Sequence, residues 1–481
     1  MQEKEKSVGY LPNEKPSLLK SLTFALQQFL VMLPATVLAA IIMNLNGVVI
    51  YSIPAAIFAS GFATICFLLI TRMRIPLYYG SSFSYIPAVS IVVTYATLNH
   101  ITDNIAILGT IIIASIISGL MSITAGILIK YYGKDKIDKI LPGHITGMIA
   151  MIIGLALAGN TISNILMLQS DPVSGNLINT SVDWLSVLIA MVTFLSVTII
   201  TVVLRKGFIS QLPILLGLGI GIIFSYLLWV PFSANAGGYQ TYFEALKTAS
   251  TIKILDVMPW NTIPAAFTQP ALIGVAVLAI FPIAFATIPE SAAHVNQIDL
   301  YVNELAEQKN SNTHYNIKDE LDNNLIGDGV GDIVAVVLGG PAGTNYGENI
   351  SASAITKNFS SYVFMITGIL AVLVGLLLEI LNIGDLSLIV TKPVVQGVSL
   401  YLFGAIAVQG IALMIEKKVN VFDPKVIAVM AFIGIVGLGT SSIYITETFI
   451  LPGIGVAAFG GILLNLLFNL LEKVFVKNKK S

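Results

Sequence analysis

Two segments far apart in the chain read nearly alike: Tyr79-Gly80-Ser81-Ser82-Phe83-Ser84 and Tyr346-Gly347-Glu348-Asn349-Ile350-Ser351. Each follows a polar or Gly/Pro-bearing approach and leads into an apolar run. The second carries a carboxylate, Glu348, where a membrane span would least tolerate an idle one. Gly-interrupted hydrophobic segments at corresponding places in two halves of a chain mark the binding site of many transporters. The pairing therefore predicts a two-fold repeated membrane protein whose chemistry sits at the two interruptions.

The composition agrees. Of 481 residues, 56% are hydrophobic and 11% are charged, against roughly 25% charged in a soluble domain. With a mean hydropathy of +0.87, the surrounding solvent must be lipid. Apolar stretches of spanning length, about 20 residues, recur at Leu22–Met43, Val48–Ile70, Ile105–Ile129, Leu185–Leu204, Ile214–Val230, Val363–Leu378 and Val426–Ile445, with a shorter one at Ile145–Ala158. Nothing soluble follows the first apolar run, so a secreted protein with a signal peptide is excluded. The single Cys66 excludes a disulfide framework or a cysteine metal site within one chain. The net charge of −1 points to neither nucleic acid nor another polyanion as partner.

Lys and Arg gather in alternate loops, as the positive-inside rule requires of a multi-span protein. One set contains Lys4, Lys6, Lys15, Lys20, Arg72, Arg74, Lys130, Lys134, Lys136, Lys139, Arg205, Lys206, Lys309 and Lys318. It continues with Lys417, Lys418, Lys425, Lys473, Lys477, Lys479 and Lys480. Gly159–Val182 carries none, and Pro231–Asn261 only Lys247 and Lys253. Both termini are accordingly placed in the cytoplasm of a multi-pass protein of the cell membrane, with an even number of crossings. The polar stretch Asp299–Asn324 reads as a solvated cytoplasmic loop with a short helix, and Asn235–Trp260 as the main extracellular excursion. The join between the halves falls between Val230 and Ala271.

Three ionisable residues stand in or beside apolar segments: Glu290, His294 and Glu348. A charge at the bilayer centre costs about 2.5 kcal/mol or more, so such residues are functional candidates by default. Glu290 and His294 are four apart and share one face of any helix that contains both. His294 can then hold the Glu290 rotamer or exchange a proton with it. Gly343-Thr344-Asn345-Tyr346-Gly347 reads as extended backbone with a helix starting after it. Such a start presents free N–H donors and the positive end of the helix dipole. The segment Gly80-Ser81-Ser82-Phe83 aims a second helix N-terminus from the opposite side. Asp328 and Asp332, also four apart, read as carboxylates at the start of a helix. No second acidic cluster accompanies them as a metal-dependent enzyme for a prenyl diphosphate would need.

The pocket between two opposed helix starts offers N–H donors to carbonyl oxygens, carboxylates to N–H donors, and the rings of Phe83 and Tyr346 to a flat ligand. A planar heterocycle with alternating C=O and N–H on one edge, such as uracil or xanthine, meets all three demands. A simple anion would be repelled by the carboxylate pair.

Gly347-Glu348-Asn349-Ile350, followed by Thr356-Lys357, resembles the signature of the nucleobase–ascorbate transporters, which include bacterial uracil and xanthine permeases. Pro76 with Gly80-Ser81-Ser82-Phe83, the Glu290/His294 pair, and Pro393-Val394 with Gly397-Val398-Ser399 resemble further stretches of that family, over most of the chain. The resemblance implies an all-α membrane protein of about fourteen spans in two inverted seven-span repeats. Residues 1–140 and 262–384 would form a core domain, and 141–232 and 385–481 a gate domain. It implies uptake coupled to protons or to sodium, with no other cofactor and no metal, and a homodimer formed through the gate domain. Glu290 and Glu348 would hydrogen-bond the base, helped by Ser82, Phe83, Tyr346 and Gly347, and Glu290, His294 and Glu348 would serve proton coupling. Gln28, Asn349, Ser351 and Phe403 would lie at the gate or the pocket periphery. Glu rather than Gln at 348 leans to the uracil-type branch.

The chain departs from the pattern at Gln28 after Gln27, where uracil permeases have Gln-His, and at Ser291, where His is common. It departs again at Ser351 in place of Gly and at Phe403 in place of Tyr. A purine permease for xanthine or urate, and an anion carrier of the sulfate-transporter type with the same fold, remain the alternatives. Coupling by protons is favoured because a buried carboxylate can lose its charge by taking one up.

Overall fold

The structure is a computed structural model that describes residues 9–44, 48–133, 142–166, 168–170, 177–179, 182–204, 212–233, 235–242, 252–311, 313–381, 390–440, 442–444 and 450–477. The basic residues Lys4, Lys6, Lys134, Lys136, Lys139, Arg205, Lys206, Lys247, Lys479 and Lys480, and the boundaries expected near residues 140 and 384, lie outside the described residues.

The first half contains α1 (Leu18–Met43), α2 (Ile53–Ile70), strand β1 (Tyr79–Ser81), α3 (Ile86–Leu98) and α4 (Asn104–Tyr132). It continues through α5 (Gly143–Ile165), the hairpin β2 (Leu168–Ser170) and β3 (Leu177–Asn179), α6 (Trp184–Val203) and α7 (Pro213–Phe224). A π-helical stretch, Ser225–Trp229, prolongs α7. After α8 (Pro259–Ala266), the second half runs through α9 (Pro270–Ile280), α10 (Ala284–Gln308), α11 (Leu321–Val337), strand β4 (Gly343–Asn345) and α12 (Gly347–Thr356). Then follow α13 (Ser361–Ile380), α14 (Lys392–Glu416), α15 (Pro424–Gly439), the hairpin β5 (Ser442–Tyr444) and β6 (Ile450–Pro452), and α16 (Gly453–Lys477).

Local chemistry sets the boundaries. Ser52, Asp103 and Asp423 cap α2, α4 and α15 by accepting hydrogen bonds from first-turn N–H groups. Proline occupies the first turn of α2, α3, α7, α9, α14 and α15, where its missing N–H is not needed.

Among the described residues, ten helices are long and apolar enough to cross a membrane, counting α9–α10 as one, and Phe83–Leu98 and Pro424–Gly439 are shorter apolar helices. The helix α11 and the β4–α12 unit bring the segments to the expected fourteen. Three boundaries differ from the sequence expectations. The last span of the apolar stretch Val426–Ile445 ends at Gly439 and turns into the β5–β6 hairpin. The polar stretch Asp299–Asn324 is mostly helical: α10 runs to Gln308, and Asp299 and Asn324 are buried. Its charges reflect helix ends that cross polar surroundings, with Asp299 accepting from the Lys318 N–H at 3.1 Å. Finally, Asp328 and Asp332 lie well inside α11 rather than at its start, because the helix begins at Leu321 and a 3₁₀ turn precedes it.

The packing repeats between the halves. Helix α2 packs on α13 and its counterpart α11 packs on α4; α6 pairs with α7 as α15 does with α16; α9 meets α3 as α1 meets α12. Two further partnerships, α5 with α14 and β1 with β4, join a segment to its own counterpart. The strands are antiparallel, as an inverted repeat about an axis in the membrane plane requires.

Glycine lets both equivalent crossings close. A Cβ on Gly61 (α2) would stand 2.5 Å from the Gly368 carbonyl oxygen (α13), and one on Gly119 (α4) 2.8 Å from that of Gly329 (α11). Without a hydrophobic drive between helices in lipid, such small-residue contact is what holds them together. Gly119→Val is expected to lower the melting temperature of the purified protein and its monodisperse yield, at a cost of about 1–3 kcal/mol. Gly274→Ala, which meets open space, is the control and should leave both unchanged. An unaltered melting temperature for Gly119→Val would contradict the close crossing.

Candidate binding site

The site begins with a backbone problem. Extended segments at membrane depth have no water to satisfy their N–H and C=O groups. Here the two interruptions satisfy each other: Tyr79 pairs with Asn345, Gly80 with Thr344 and Ser81 with Gly343. Tyr346 N–H to Tyr78 O at 2.9 Å and Ser82 N–H to Ala342 O at 3.1 Å extend the ladder at its ends. The glycines are required by space. A Cβ on Gly343 would lie 1.8 Å from the Gly80 carbonyl oxygen, and one on Gly80 would lie 2.3 Å from the Tyr346 ring.

Each strand then feeds a helix start. After β1, Ser82 caps a 3₁₀ turn, Phe83–Tyr85, by accepting from the Ser84 N–H at 3.2 Å, and α3 follows. After β4, Tyr346 precedes α12 without a side-chain cap, and Glu348 is the acidic residue of its first turn. The Tyr346 hydroxyl donates to the Ser81 carbonyl at 3.1 Å and lies 3.0 Å from Thr36 Oγ1, so the ring is fixed across the β1 backbone. Two helix N-termini from opposite halves thus converge on one space.

That space is a cavity of about 580 Å³. Of the residues singled out in the sequence, Ser82, Phe83, Glu290, His294, Tyr346, Gly347, Glu348 and Ser351 all line it. Helix α10 continues through Pro289, so Glu290 and His294 do share one helix. Ser84 lines the cavity beside the two carboxylates. Among the described residues, no Lys or Arg lines it. Toward α7 and α14 the lining is largely apolar, with Ile214 and Leu215 of α7 and Leu402 and Ile406 of α14, and α1 adds Leu30 and Pro34.

Three predicted residues sit behind the wall. Asn349 donates to the Gln28 carbonyl at 2.9 Å and to Gln28 Oε1 at 2.7 Å, while Gln28 Nε2 donates to Ser353 Oγ at 2.8 Å. This buried exchange ties α12 to α1 and does not line the cavity. Phe403 packs edge-on against Phe83 with ring centroids 5.7 Å apart and so backs the aromatic wall.

The sequence reading missed several participants. Gln409 Nε2 lies 3.2 Å from His294 Nε2, within hydrogen-bonding distance. Tyr401 and Gln409 line the cavity from α14 together with Ala405; their spacing of four residues is the signal that would have found them. Behind β4, Asn345 donates to Asn324 Oδ1 at 3.2 Å, and Asn324 donates to Ser291 Oγ at 2.6 Å. Ser291, where the family pattern often has His, thus serves a polar network that joins α10, α11 and β4.

A helical membrane protein with a cavity between two broken, inverted spans has the architecture of a transporter. Residues 19–445 match the model of the Permease family Xan_ur_permease, and the chain belongs to that family. It is 30% identical over 470 residues to the uracil permease of Bacillus subtilis (strain 168), covering 96% of each chain. It is 28% identical over 475 residues to the uracil permease of Bacillus caldolyticus, covering 97% of each. The putative pyrimidine permease RutG of Escherichia coli (strain K12) is 28% identical, over 95% of this chain and 91% of that one. Among solved structures, the transmembrane domain of a cyanobacterium bicarbonate transporter, BicA, superposes with a TM-score of 0.57 at 14% identity, covering 93% of this chain and 97% of that one. The murine anion transporter Slc26a9 in its inward-facing state gives 0.59 at 11%, covering 95% and 70%. These structures share the fold.

The two ladder glycines make a graded test. Gly343→Ala meets backbone, which cannot yield, whereas Gly80→Ala meets a tyrosine ring. Thermal melting in detergent is expected to show a larger loss for Gly343→Ala than for Gly80→Ala. The reverse order would contradict the strand crossing described here.

Proposed function

We propose that the chain imports a nucleobase, uracil in the first place, by proton-coupled alternating access. The observation that carries this reading is the pair Glu290 and Glu348 facing one cavity beside the Phe83 ring and a helix start. Carboxylates accept from the N–H groups of a base, while backbone N–H groups donate to its carbonyls. The aromatic wall of Phe83 backed by Phe403 takes the face of a planar ring. The names of the relatives, uracil permease and pyrimidine permease, support the same class of substrate. The Glu290 and Glu348 carboxylates in the cavity lining count against an anion carrier, even though bicarbonate and anion transporters share the fold.

In the mechanism we infer, proton uptake removes one of the two like charges that line the same cavity. The loaded unit, built from the crossing strands, α10 and α12, then moves against the apolar wall of α6, α7 and α14. The first is the core and the second the gate of the proposed division. His294, steadied by Gln409, stands one helical turn from Glu290 and relays the proton. Both termini face the cytoplasm in this reading, which fits the basic residues gathered on that side.

Uptake of labelled uracil into cells or vesicles, with and without a proton uncoupler and with xanthine as competitor, tests the proposal. Uncoupler-sensitive accumulation that xanthine does not block is expected; robust xanthine uptake in its place would move the substrate, and uptake unaffected by the uncoupler would remove the proton. Glu348→Gln is expected to lose accumulation, and wild-type uptake by this variant would overturn the pocket assignment. Glu290→Gln should keep uracil binding better than it keeps transport; equal loss of both would contradict its part in coupling.

A further inference from the structure

A three-rung ladder is a weak device on which to hang a binding site. Short strand pairs fix their register poorly unless something beyond the ladder specifies it. In this chain one buried carboxylate oxygen ties the two strands together across the ladder. Asp332, on α11 and only 2% exposed, accepts the Tyr79 hydroxyl at 2.6 Å and the Gly343 N–H at 2.9 Å, both on its Oδ1. Tyr79 opens β1 and Gly343 opens β4, and in the antiparallel register they stand at opposite ends of the ladder. One carboxylate oxygen therefore spans the diagonal of the crossing.

The rest of Tyr79 is equally constrained. Its carbonyl accepts from Ser60 Oγ at 2.9 Å and Thr64 Oγ1 at 3.1 Å, and its N–H donates to Thr64 Oγ1 at 3.1 Å, all from α2. Its ring lies where a Cβ on Gly331, one residue before Asp332, would come within 2.7 Å. The β1 backbone thus belongs to α2, and its tyrosine hydroxyl belongs to α11. A slip of either strand by one residue would break one arm of the Asp332 bridge and turn every side chain of that strand to the other face.

We propose that Asp332 is a positioning residue: it locks the register of the crossing strands and so sets the separation of the two helix starts that receive the substrate. Asp332 is not among the cavity-lining residues, and it acts through Ser82–Phe83 on one side and Tyr346–Glu348 on the other. The proposal rests on the transport reading for its functional readout, but not for its structural one.

The test uses the purified full-length chain and four variants: Asp332→Ala, Asp332→Asn, Tyr79→Phe and the double variant Tyr79→Phe/Asp332→Ala. The folded, monodisperse fraction of each is assayed for labelled uracil binding and for amide hydrogen exchange over residues 79–83 and 343–347. Asp332→Ala is expected to weaken binding about tenfold, the scale of one lost charge-assisted hydrogen bond, and to speed exchange in both segments. Asp332→Asn keeps an acceptor oxygen and should stay within about threefold, and Tyr79→Phe should fall between the two. The double variant should be no weaker than Asp332→Ala, since both act through one contact. Unchanged binding and exchange in Asp332→Ala, or additive losses in the double variant, would overturn the proposal. If Asp332→Ala does not fold, Tyr79→Phe decides: unchanged exchange in 79–83 would overturn the lock. If the unaltered chain binds no uracil, the substrate reading fails, and hydrogen exchange alone decides the lock.

Discussion

The constraint on which the structure depends is the need to satisfy bare backbone inside a membrane. A span that breaks at mid-depth exposes several N–H and C=O groups, each worth several kcal/mol if left without a partner. Two such breaks, one from each half, solve the problem together by pairing as β1 and β4. The pairing forces the inverted arrangement, because antiparallel strands at a shared crossing bring the following helices in from opposite sides. It also forces glycine at 80 and 343, where backbone or ring leaves no room for a Cβ. Binding capacity follows as a by-product: the helix starts that flank the ladder have N–H donors left over, and they face the same cavity.

Around this crossing the protein spends its buried polar residues unequally. The cavity side has carboxylates at Glu290 and Glu348 that can receive a ligand. The rear has Asp332, Asn324 and Ser291, whose hydrogen bonds are directed at the strands and at one another, and Asn345 joins this network from the cavity lining. Asp328 belongs to the rear as well; it is 4% exposed, and its Oδ2 lies 3.5 Å from Thr344 Oγ1. A rigid rear and a receptive front suit a site that must move as a unit, since a loose ladder would let the two helix starts drift apart while the substrate was carried.

Much of this was legible in the sequence, and for physical reasons. The repeated Tyr-Gly segments announced themselves because close backbone approach needs glycine, and glycine in an apolar context is conspicuous. Glu290, His294 and Glu348 stood out because an ionisable group in a span is costly, and all three line the cavity. What stayed hidden depends on distant pairing. Asp332 looked like a helix-start carboxylate because the start of α11 cannot be placed without knowing that a 3₁₀ turn fills residues 317–320. Gln28 and Asn349 read only as gate or periphery residues, and their bond to each other joins segments more than three hundred residues apart. Gln409 lies on a helix of the opposite wall, and nothing in its own segment says that it will meet His294. The acidic stretch after Asp299 looked like a loop because its charges hide the helical continuation of α10.

The central claim is that the cavity between the two crossed helix starts receives a neutral planar base through the Glu290 and Glu348 carboxylates. The most direct measurement is an experimental structure of the protein determined with uracil. The account predicts ring-shaped density in this cavity, with its face toward Phe83 and its N–H edge within hydrogen-bonding distance of Glu290 and Glu348. Density for the base elsewhere, or in this cavity with its carbonyls turned toward the carboxylates, would contradict it.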